Sequence, residues 1–207
     1  MSNFSKLVEQ EKTKSRIDSI KQIVNDINQN DKDVQNKIKN FIIRFDNIFS
    51  YDDIVNKILT DNIVAACFAK DPVKQNISEK LCSDYIKVPL APQSGKNCIR
   101  FNDKGDIVAL KKDGGCKSVD FILPEGVYAT QKYTGNYSGG AQDNQFNDVV
   151  LFLKNGSIKY KVAAIVDGWY WEENGKKNEL IELFKENSNV FIFSADDYKE
   201  GKIKFVN

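Results

Sequence analysis

The chain has 207 residues, 41% of them apolar and 11% aromatic, which is enough to bury a core and argues against disorder. It carries 30 basic and 29 acidic residues for a net charge of +1, and it contains no histidine. That absence excludes Ser-His-Asp and Cys-His triads and histidine-ligated zinc, so any hydrolysis must use carboxylates, lysine and oxygen-liking metals such as magnesium. There is no run of 18 apolar residues and no apolar leader after Met1, so the expectation is a cytoplasmic protein with no membrane span. The cysteines at 67, 82, 98 and 116 are too far apart for a Cys-x-x-Cys zinc knot and read as buried thiols.

The first 85 residues read as helical. Ile17, Ile20, Val24 and Ile27 fall at helix spacing, as do Val34, Ile38, Phe41, Ile42 and Phe45, with a polar break at Gln29–Asp33. A further helix is expected over Asp52–Phe68, ended by Pro72, and a short one over Ser78–Tyr85. Such a series is either a packed scaffold or a dimer surface.

From residue 98 the pattern becomes β. Cys98–Phe101 and Asp106–Leu110 flank Asn102-Asp-Lys-Gly105, a hairpin signature. Ser118–Leu123 and Val127–Tyr133 read as strands about the turn Pro124-Glu-Gly126. Gly135–Gly140 is loop, after which Asp143 or Asn144 is placed to cap a helix running to Phe152 and ended by Asn155-Gly156. Lys161–Asp167 has the continuous apolar texture of a buried strand, Asn178–Glu186 that of a helix, and Val190–Ser194 that of a final strand. This order gives an α/β fold: a central mixed β-sheet flanked by helices, with a helical N-terminal region over 1–68 and a core over 69–207.

Asp120 and Lys132 stand on consecutive predicted strands. In a hairpin they meet at one edge of the sheet, where a carboxylate can hold magnesium and a lysine can orient water and offset phosphate charge. The run Ser138-Gly-Gly-Ala-Gln-Asp-Asn-Gln145 offers two glycines for close approach and a cluster of amide groups able to read an adenine edge; a polar loop capping a helix is the alternative. Trp169, Tyr170 and Trp171 suit base stacking or sheet packing, and Lys111, Lys112 and Lys117 suit phosphate contact or solvent.

Four segments, Lys117-Ser-Val-Asp-Phe121, Tyr128-Ala-Thr-Gln-Lys-Tyr133, Ser138–Gln145 and Ala164-Ile-Val-Asp-Gly-Trp-Tyr-Trp171, resemble the core of the PD-(D/E)xK type II restriction endonucleases. Ala69–Leu81 resembles the helix that precedes that core, so the likeness spans roughly residues 65–195. The resemblance implies a homodimeric, magnesium-dependent, sequence-specific endonuclease acting on double-stranded DNA. It makes Asp120 the metal-binding aspartate, Lys132 the lysine of the signature and Glu79 the acidic residue of the first core helix, a second metal ligand. Gly139, Gly140, Gln142, Asp143, Asn144 and Gln145, with Lys117, would lie along the DNA. The chain departs from the pattern at Thr130, where the family has Asp or Glu two residues before the lysine. Glu125, Asp143 and Glu79 are candidates to supply the missing acid. The alternative reading is a DNA-binding protein that kept the fold and lost cleavage.

Overall fold

A computed structural model describes residues 1–26, 77–92, 97–109, 118–135, 141–203 and 205. The helices expected between 34 and 68, together with Lys111, Lys112, Lys117, Gly139 and Gly140, lie outside these residues. The chain divides into two compact units, one formed by Lys6–Ile77 and the other by Met1–Ser5 with Ser78–Asn207. Among the described residues no helix is long and apolar enough to cross a membrane.

Helix α1 spans Asn3–Asp26. In the larger unit helix α2 (Ile77–Ile86) is followed by the antiparallel pair β1 (Ile99–Phe101) and β2 (Ile107–Ala109), the hairpin expected from its turn. Next come β3 (Phe121–Leu123), a single 3-10 turn over Pro124–Gly126, β4 (Val127–Tyr133), helix α3 (Ala141–Gly156) and β5 (Val162–Asp167). The chain continues through α4 (Trp169–Glu172), α5 (Lys176–Phe184), β6 (Val190–Phe193) and α6 (Ala195–Lys199).

The four longer-range strands form one mixed sheet in the order β3-β4-β5-β6. β3 runs antiparallel to β4, while β4, β5 and β6 are mutually parallel. Every residue of β5 is buried, as required of a parallel strand covered on both faces. Alternation sends Val162, Ala164 and Val166 to the face where Val149, Phe152 and Leu153 of α3 join Tyr170, Trp171, Leu180 and Phe184 in one apolar cluster. Ala163, Ile165 and Asp167 point to the opposite face. There Ser78 of α2 approaches Gln131 of β4, and the start of α6 approaches Asp167.

One local expectation is revised, and the choice left open for the aromatics at 169–171 is decided. Helix α3 already begins at Ala141, so Asp143 and Asn144 stand inside its first turns rather than at its cap. Residues 169–172 leave the sheet as a short helix, because Gly168 sits at φ 100° and a Cβ there would lie 2.4 Å from the Thr134 carbonyl oxygen. Tyr170 and Trp171 are buried in the core by that turn and offer no stacking platform to a base.

Candidate active site

β4 has seven residues and β3 only three, so their pairing ends at Phe121↔Ala129. The chain extends it by one bond, from the Asp120 amide to the Ala129 carbonyl at 2.8 Å. Beyond this point, among the described residues, this edge of β4 has no strand neighbour, and no ladder serves the Gln131 N–H and C=O there. Side chains replace the missing ladder. The Gln131 amide donates to Asp120 Oδ2 at 2.8 Å, and Lys132 Nζ donates to the Gln131 carbonyl at 2.9 Å.

Asp120 precedes the paired residues of β3, and alternation puts Thr130 and Lys132 on the same face of β4. Thr130 Oγ1 donates to Asp120 Oδ2 at 2.9 Å, and Lys132 Nζ stands 4.0 Å from that oxygen. Asp120 is 3% exposed and Thr130 1%, so their bond is shielded from water, while Lys132 keeps some access to solvent. The two groups singled out in the sequence thus converge at the open end of the β3–β4 hairpin. Chemically the notch offers one carboxylate, one ammonium and a hydroxyl within a few ångströms.

The other candidate residues divide. Glu79 lies in the first turn of α2, next to Ser78. It acts with Asp167 and Asp120 on the Cys82 thiol, whose pKa burial, first, and then these three carboxylates push well up. Cys82 is therefore an inert buried thiol rather than a nucleophile. Glu125 is exposed at the tip of the hairpin, at the end of β3 remote from Asp120, and cannot replace an acid at Thr130. Gln142 and Asp143 lie in the first turn of α3. Asn144 is exposed. Gln145 is engaged internally: its Oε1 accepts from the Thr134 hydroxyl, whose oxygen accepts in turn from Trp171 Nε1 at 3.1 Å.

Three residues on the opposite face gave no signal in the sequence. Gln131 is 1% exposed; its Oε1 is 3.5 Å from the Ser78 hydroxyl, and its Nε2 has no acceptor among the described residues. A buried donor in that state costs about 1–3 kcal/mol. Asp167, fully buried at the end of β5, has its pKa pushed well up by burial, against the lowering effect of the Ala195 amide that donates to both its oxygens. An amide in the middle of a strand looks like a surface residue until the helix that covers it is known.

Among the described residues no group of three or more Asp, Glu or Cys is placed to hold a metal ion. Magnesium does not demand one, since it commonly keeps several waters and is held by one or two carboxylates together with substrate phosphate oxygens. Among the described residues the notch offers one carboxylate and no closed protein cage for an ion. Comparison with protein-family models, with curated proteins and with solved structures returns no match to this chain.

Proposed function

We propose that the chain is a magnesium-dependent endonuclease that hydrolyses phosphodiester bonds in double-stranded DNA, working as a homodimer of the type II restriction kind. The observation that carries this reading is the 4.0 Å approach of Lys132 Nζ to Asp120 Oδ2 where β3 runs out beside β4. Negative charge grows on a phosphate under attack, and a site for that chemistry needs a carboxylate to hold a divalent cation beside an ammonium to offset the charge. Asp120 would hold the magnesium, which would supply Lewis-acid stabilisation of the phosphate; Glu79, on the helix packed across the other face of β4, does not share that notch. Lys132 orients the attacking water and balances the phosphate oxygens. The Thr130 hydroxyl and the Gln131 amide fix the Asp120 carboxylate so that it presents one orientation.

The test is to incubate the purified protein with a panel of unmethylated plasmids and magnesium or manganese. Discrete, metal-dependent fragments are expected. If every plasmid survives intact at high protein concentration, the cleavage reading fails.

One observation favours a second reading, a DNA-binding protein that does not cut. Thr130 occupies the place of the signature acid and spends its hydroxyl on Asp120, which leaves the notch with a single carboxylate. A gel shift of duplex DNA without cutting in magnesium or manganese selects that reading. No shift and no cutting excludes both.

A further inference from the structure

We infer that Gln131 is a positioning residue of the notch, held in the core for the site rather than for stability; this deepens the nuclease reading and depends on it. Gln131 stands between Thr130 and Lys132, and its main chain already belongs to the site, its N–H donating to Asp120 and its C=O accepting from Lys132. Its side chain points the other way, to α2. There the Oε1 meets Ser78 at 3.5 Å, and the Nε2 is buried with no acceptor among the described residues. Ser78 precedes Glu79 in the same helical turn. One residue therefore joins the Asp120–Lys132 notch on one side of β4 to the helix turn carrying Glu79 on the other.

The unpartnered amide sets this residue apart from ordinary core polar groups, which are paired in folded proteins. Folding alone favours an apolar side chain of the same length at 131, because methionine fills the volume without stranding a donor. An amide retained at such a position is the mark of a site that gives up stability for geometry. Its action is indirect. Ser78 and Gln131 fix the distance between α2 and β4, and the strand so fixed sets the Asp120 and Lys132 head groups.

The experiment compares the full-length wild type with Gln131→Met, Ser78→Ala and the double variant. Three quantities are read: the thermal midpoint, the affinity for a duplex DNA fragment in calcium, and the magnesium-dependent cleavage rate. Gln131→Met is expected to keep or raise the midpoint while cleavage falls at least about tenfold, the scale on which supporting residues act. Ser78→Ala should lower cleavage through the same link, and the double variant should be no worse than Gln131→Met alone. A midpoint that falls together with cleavage makes Gln131 a plain packing residue and overturns the inference. So does Gln131→Met cutting at the wild-type rate. A wild type that binds DNA in calcium but never cuts removes the cleavage reading; the inference then stands or falls on whether Gln131→Met weakens that binding at an unchanged midpoint. A wild type that neither binds nor cuts removes the nuclease reading and this inference with it.

Discussion

The Asp120 carboxylate accepts from two donors, the Thr130 hydroxyl and the Gln131 amide, beside the Lys132 ammonium at 4.0 Å, and each has a separable role. Thr130→Val removes a buried hydroxyl of nearly the same shape and leaves Asp120 Oδ2 with the Gln131 amide and the more distant Lys132. We predict a loss of about 1–3 kcal/mol in urea unfolding, the range for a buried bond to a charged acceptor. Lys132→Gln retains a donor for the Gln131 carbonyl and removes the cation. Cleavage should fall by about 10²–10³-fold, the effect of deleting one stabilising donor, while the affinity for DNA in calcium drops far less. Equal losses in both would make Lys132 a binding residue and no more. Of these residues, Asp120 and Lys132 are legible in the sequence as groups that a hairpin about the Pro124–Gly126 turn allows to meet. Gln131 and Ser78 are not, since the face a strand residue occupies has no meaning until both covering layers are known.

At the level of elements, the strands were readable wherever composition and burial agree. Val162–Val166 is apolar throughout because both its faces are covered, and the Asn102–Gly105 turn announces the β1–β2 hairpin. Helix α3 starts three or four residues earlier than the sequence suggests, because Asp143 and Asn144 have the chemistry of a cap while the helix already begins at Ala141. Helix α4 was not foreseen. Its four residues follow from one tertiary fact, the close approach of Gly168 to the Thr134 backbone. Gly168→Ala should therefore cost more than about 2 kcal/mol, since φ 100° strains any side chain and the Cβ overlaps a carbonyl that cannot move freely. A variant as stable as wild type in urea titration would show that this turn adjusts. Trp171 reports on the same junction through its bond to Thr134, so its fluorescence should shift in that variant.

Across the whole molecule, carboxylates of opposite tendency set the pH dependence. Asp197 is held at about 2: burial alone would raise it, but the Lys177 ammonium and Ser194, which bond to it directly, pull it down. Glu172 is also lowered. Burial opposes this, and the bonds from Ser5, Gly168 and Ser2 outweigh it. A group whose folded pKa is depressed contributes stability above its unfolded value and loses it as pH falls through the folded one. These two should therefore weaken the fold progressively as pH drops below about 4.5. Asp167 has the reverse sign. Its folded pKa is raised, so the fold is favoured while the carboxyl is protonated and penalised as pH rises through the folded value. Asp167→Asn, which keeps an acceptor for Ala195, should raise the thermal midpoint at pH 8 by several degrees and gain less at pH 5. Scanning calorimetry at the two pH values checks both the sign and the trend.

In the proposed nuclease, Asp120 and Lys132 form one divalent-ion and phosphate notch. Its most direct measurement is single-turnover cleavage of duplex DNA in magnesium by the wild type and by Asp120→Asn, at matched thermal midpoints. The account predicts metal-dependent cutting by the wild type and a loss of at least about 10²-fold in the variant. Equal rates for the two proteins, or cutting that ignores the metal, would contradict it.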